Sequence, residues 1–221
     1  MRHIYFASIL FISCNSNSPT RQASKVDSIT NNNASIVDTT TKPKKVWVDR
    51  LNGSIYPLPD SIGDKPVSFY LDNPKVADIS KAFYKAKFRP TDNDSTTQLL
   101  SYATTGDNTL RPFYRWCLDF TITISDGALG EYPGAPALAY ASKFPKEFFD
   151  YMDKDTSGQR YKQWTEIIAY SGLSNYDRKK SEIEKEIISN MQNNCSFCSG
   201  NTKSRIVTFA QDIAKAIKLQ D

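Results

Sequence analysis

The sequence predicts a mostly α fold, a compact array of about seven to eight short antiparallel helices with a small N-terminal β-hairpin, on three observations. Apolar residues recur at helical spacing in segment after segment from Val76 to Ile217. Proline and glycine interrupt these segments often enough to keep each helix short, and the brief loops left between them favour antiparallel neighbours. Ahead of them, Val46-Trp47-Val48-Asp49-Arg50-Leu51 and Ser54-Ile55-Tyr56 flank Asn52-Gly53, a dipeptide that accepts the positive φ of a tight hairpin turn.

Taken in order, residues 46–72 form the hairpin and loop segment, and residues 73–221 the helical domain. Pro57 and Pro59 end the second hairpin arm, so the hairpin has to lean on the helices. Asn73-Pro74 offers a cap and a first-turn proline for a helix carrying Val76, Ile79 and Phe83. Asp94 or Ser95 caps the next, which buries Leu99, Leu100 and Ala103 before Gly106.

The segment from Leu110 to Tyr151 is the richest in apolar and aromatic residues and is expected to organise the core. Its first part, 113–125, has two periodicities. Trp116, Leu118, Phe120, Ile122 and Ile124 alternate with Cys117, Asp119, Thr121 and Thr123 as in a strand, whereas Phe113, Trp116, Cys117, Phe120 and Ile124 make one helical face. No alternating partner strand follows and both neighbours are helical, so a helix is expected, with Pro112 in its first turn. A glycine- and proline-rich link, Gly127 to Pro136, leads to a short helix over Leu138 to Lys143. Pro145 opens another with Phe148, Phe149 and Met152. Tyr161, Trp164, Ile167 and Ile168 precede a stop at Gly172; Ile183, Ile187, Ile188 and Met191 follow; Ile206, Phe209, Ala210, Ile213 and Ile217 complete the chain.

The N-terminus carries an address. A short basic start, Met1-Arg2-His3, precedes an apolar run from Ile4 to Ile12, too short for a resident bilayer span, then Ser13 and Cys14. Leu10-Phe11-Ile12-Ser13-Cys14 resembles the lipobox of bacterial lipoprotein precursors. That resemblance implies a signal peptide over residues 1–13, lipidation of Cys14, and a cell-envelope location, periplasmic or surface-facing, with the membrane as a partner through the lipid. Residues 14–45 then read as the lipidated cysteine and a polar, aperiodic tether, whose about 30 residues have an end-to-end distance of roughly 30 Å.

Removal of the leader removes His3, the only histidine. Without imidazole the mature chain has no Ser-His-Asp or Cys-His pair, no HExxH zinc site and no His-ligated haem. A net charge of +4, without a polybasic block, argues against nucleic acid. No cofactor is implied.

Three loops carry chemical candidates. Asp153-Lys154-Asp155-Thr156-Ser157-Gly158 resembles the first half of an EF-hand loop, which implies calcium ligands at Asp153, Asp155 and Ser157. Trp164, however, stands where the closing glutamate belongs, and an acidic helix-capping turn is the competing reading. Cys195 and Cys198 suit a redox pair, half a zinc site or a disulfide; in an oxidising compartment the disulfide is favoured, with Cys117 a buried free thiol. Asp126 and Glu131 are the nearest approach to the paired carboxylates of a glycosidase, against a solvated acidic loop. The expectation is therefore a lipid-anchored envelope protein with a structural or binding role and no catalysis, meeting another envelope protein or cell-wall glycan. The alternatives are a periplasmic glycan hydrolase and a calcium-responsive domain.

Overall fold

The computed structural model describes residues 45–173 and 178–217. His3, Cys14 and the expected leader, with almost all of the tether, lie outside them. The described chain is mostly α: two small antiparallel hairpins precede nine α-helices, and residues 46–72 belong to the same compact unit as the helices.

Strands β1 (Val46–Val48) and β2 (Ile55–Pro57) pair with Trp47 opposite Tyr56, and Gly53 takes φ 74° in the turn as the Asn-Gly signal requires. A two-stranded sheet is marginal alone. Trp47 supplies the support: its ring is buried edge-on against Phe83 and Phe120, and its Nε1 donates to the Phe83 carbonyl at 3.1 Å. Buried Asp49 adds a second pin, accepting from Arg89 Nε at 2.8 Å and Nη2 at 3.1 Å.

A second hairpin, β3 (Ser61–Ile62) with β4 (Lys65–Pro66), and a short helix α1 (Val67–Leu71) were not legible in the sequence. Helix α2 spans Asp78–Tyr84. The expected cap at Asn73 is corrected here, because the Asn73 side chain accepts from the Lys75 amide and closes a turn instead, five residues before the first residue of the helix. Helix α3 (Asp94–Ser101) is capped by Asn93, one residue earlier than expected, through its side chain to the Thr96 amide.

Helix α4 (Arg111–Ile124) resolves the ambiguous segment in favour of helix. It lies between two apolar clusters. Phe113, Tyr114, Cys117, Phe120 and Ile124 face one, with Trp47, Tyr70, Phe83, Tyr84 and Leu99. Leu118 and Ile122 enter the other, with residues of the later helices. A helix that is apolar on two sides loses its single stripe, and that is why it also alternated like a strand.

The expected link after it is partly helical: a 3-10 turn occupies Gly127–Glu131 and α5 already begins at Gly134 (Gly134–Lys143). Then come α6 (Pro145–Met152), α7 (Gln159–Ser171), α8 (Lys180–Asn193) and α9 (Gly200–Ala216). Phe148, Trp164 and Phe209, all fully buried, join α6, α7 and α9, and α9 also packs along α8.

Gly172 ends α7 for a reason other than positive φ. The start of α5 meets the end of α7 so closely that a Cβ on Gly134 would approach the Gly172 nitrogen to 2.4 Å and the Ile167 carbonyl oxygen to 2.5 Å, backbone atoms that have no free rotation away. Gly134→Ala is therefore expected to lower stability by about 2 kcal/mol and the melting temperature by about 6 °C, read by thermal denaturation; an unchanged midpoint refutes this contact.

The Asp49 pin gives a pH signature. The hydrogen bonds from Arg89, ahead of the opposing effect of burial, hold Asp49 below its ordinary value of 3.8. A depressed folded value means stability that is complete above the unfolded value and is lost as pH falls through the folded one. Asp49→Asn should cost about 2 kcal/mol at pH 7, and the gap from the parent protein should shrink below pH 3.8, measured by denaturant unfolding across pH.

Candidate functional site

The polar feature of the molecule is a stripe on α4. Arg111, Arg115 and Asp119 stand four residues apart, so they share one helical face between its two apolar ones. Helices α5, α6 and α7 cover that face, and each charge must therefore be matched within the protein.

Glu147 of α6 answers both arginines: Arg111 Nε donates to Oε2 at 2.9 Å, and Arg115 Nη1 donates to Oε1 at 3.2 Å. Tyr140 of α5 sits between them, accepting from Arg115 Nη1 at 3.0 Å and donating to Glu147 Oε1 at 2.9 Å. Asp119 receives the Trp164 indole N–H and the Tyr151 hydroxyl, each at 2.6 Å, with Arg160 Nε 3.4 Å away. The Tyr151 ring lies between two guanidinium groups, with Arg115 Cζ 4.0 Å and Arg160 Cζ 4.3 Å from its centroid. Burial first, and the neighbouring carboxylates after it, push the Tyr140 and Tyr151 hydroxyls above their ordinary range, so both stay neutral donors.

Beside the middle of this stripe, at Arg115, a pocket of about 230 Å³ opens between the second hairpin, α4 and the end of α6. Arg115, Trp116, Tyr151, Lys154 and Ser61 line it, and no carboxylate does.

The residues singled out in the sequence lie elsewhere, with the exception that Lys154 belongs to the acidic loop. Asp126 is 60% exposed at its side chain and lies 3.5 Å from Arg89, the arginine that pins Asp49. Glu131 is exposed at the other end of the 3-10 turn, whose Leu129 is buried. Asp153 is held by both terminal nitrogens of Arg205. Asp155 turns inward to the chain: Oδ1 accepts from the Ser157 hydroxyl and amide, and Oδ2 accepts from the Arg160 amide at the start of α7. The Ser157 hydroxyl first, then the Arg160 amide, bring Asp155 down to about 2. Asp155 thus ties the loop to the first turn of α7, and among the described residues no three of His, Cys, Asp or Glu are grouped to hold a metal ion. Cys195 and Cys198 stand at disulfide distance, their Cα atoms 5.1 Å apart, between α8 and α9, while Cys117 is free and buried. Burial raises the Cys117 thiol far above its ordinary value, leaving it unreactive.

Sequence reasoning passed over Arg111, Arg115 and Asp119. The available signal was three charges at four-residue spacing on a helix otherwise facing two cores; their partners, 25 to 45 residues away, are a product of the fold. No protein-family model, curated protein or solved structure matches this chain.

Proposed function

We propose that this chain is a lipid-anchored bacterial envelope protein whose folded part is a non-catalytic binding module. The anchor rests on the lipobox-type segment ending at Cys14 and on the polar stretch that separates it from Trp47, the first deeply packed residue described. The outer face of the first hairpin suits a membrane-apposed position. Val46, Val48, Leu51 and Ile55 are exposed there, Lys45 and Arg50 border them, and Arg50 reaches the Ala86 carbonyl between exposed Lys85 and Lys87.

The observation that carries binding over catalysis is that the carboxylates of the polar stripe are already engaged by donors of the protein, and the groups with a clear shift add to it. General acid-base chemistry favours a group poised near the working pH. Here Asp49, Asp153 and Asp155 are lowered, chiefly by hydrogen bonds, while burial raises Tyr140, Tyr151, Tyr161 and Cys117. Every one of these shifts leads away from neutrality.

The two halves are tested separately. Cys14→Ser should leave unprocessed precursor in the cell, seen as a larger product by mass spectrometry; processed protein of normal size from that variant ends the lipoprotein reading. A strain carrying Asp126→Asn with Glu131→Gln should match the parent in phenotype and its protein in melting temperature. If it instead reproduces the phenotype of a deletion while the protein stays folded, the glycan-hydrolase reading replaces this one.

A further inference from the structure

Arg115 is used on one side only. Its Nη1 makes both of its hydrogen bonds, to Tyr140 and Glu147, and its flat face covers Tyr151. The side chain is buried, with the residue 6% exposed, yet Nε has no acceptor among the described residues, and no hydrogen bond there uses Nη2. Nε and Nη2 form the edge of a guanidinium that grips two oxygens of a carboxylate or phosphate in a parallel fork. An unsatisfied buried donor costs about 1–3 kcal/mol, so an arginine fixed in this attitude lacks a partner.

The charges around it agree. Arg111 and Arg115 share the single carboxylate of Glu147, and Asp119 is matched by Arg160, which leaves the stripe one cation in excess. Lys154, exposed on the pocket wall, has no ion-pair partner among the described residues and adds another. Ser61 contributes a hydroxyl, and Trp116 and Pro112 an apolar wall. The space of about 230 Å³ is below the roughly 300 Å³ at which drug-sized sites begin, so the occupant is small.

We propose that this pocket binds a small organic oxyanion, its carboxylate or phosphate paired with the Arg115 guanidinium, with Lys154 at the mouth and Trp116 beside the apolar remainder. The proposal deepens the binding-module reading and rests on it, but not on the lipid anchor.

The test is titration of the purified full-length protein with benzoate, phenyl phosphate and neutral benzamide, followed by calorimetry and melting temperature. Benzoate or phenyl phosphate should bind saturably and raise the melting temperature, benzamide should not, and the tighter of the two anions names the head group. Lys154→Glu, an exposed change that leaves the unliganded melting temperature in place, should weaken the anion by about tenfold or more. Arg115→Lys keeps the charge without the fork and should weaken it as well. Benzamide binding as tightly as the anions, an unaltered affinity in Lys154→Glu, or no saturable response to either anion up to about 10 mM overturns the proposal. That failure is distinct from a failure of the binding-module reading, which the Asp126 and Glu131 variants decide.

Discussion

The structure depends on the burial of a charged stripe along α4. A helix that separates two apolar clusters has only a narrow strip left for polar side chains, and the neighbouring helices cover that strip too. Leaving Arg111, Arg115 and Asp119 unmatched there would cost several kcal/mol each, so the partners have to arrive in register. Glu147 and Tyr151, four residues apart on α6, meet Arg111, Arg115 and Asp119 along α4. Tyr140 fixes α5 to the same line, and Trp164 with Arg160 fixes α7. Apolar packing draws these helices together, whereas the directional contacts of the stripe select one arrangement of them.

Stability alone does not call for such a stripe. Well-packed apolar side chains in place of a buried ion pair are commonly as stable or more so. The arrangement also leaves its own electrostatics incomplete, with two arginines on one glutamate and a guanidinium edge without an acceptor. Arg115, which takes part in both features, also lines the pocket, beside a lysine with no counter-ion among the described residues. A seam built only for folding would close that edge with a carbonyl or carboxylate, as it does at Asp119, where three donors converge on two oxygens.

Much of the fold was legible because local chemistry and tertiary packing agree. The Asn52-Gly53 turn, the first-turn prolines of α4 and α6 and the apolar spacing of α7, α8 and α9 are each decided by a few adjacent residues. The failures have a common origin in contacts distant along the chain. Asn73-Pro74 has the composition of a helix start, but it is a turn; Gly172 looks like a conformational stop, yet its lack of a side chain serves the close approach of Gly134. The second hairpin and α1 are too short to show periodicity. Of the candidate site, the residue types were visible but their grouping was not. The loops of distinctive composition, at Asp126 and at Asp153, hold acids engaged by Arg89 and Arg205, while the unused donor belongs to a residue that looked like part of a core helix.

The hairpin at the start of the described chain links this architecture to the proposed anchor. Its three paired residues per strand make a sheet that cannot bear load by itself. Trp47, however, is wedged between Phe83 and Phe120, and Phe120 is an α4 residue. Asp49, two residues on, is held by Arg89 from the segment that follows α2. Lys45 accepts from the Leu58 amide and Val46 pairs with Pro57, so a pull from the N-terminal side meets these hairpin contacts first and is then stopped by the aromatic wedge and the buried ion pair. A domain tethered by its N-terminus needs such a fastening at its first packed residues, and the sequence places both within five positions of Lys45.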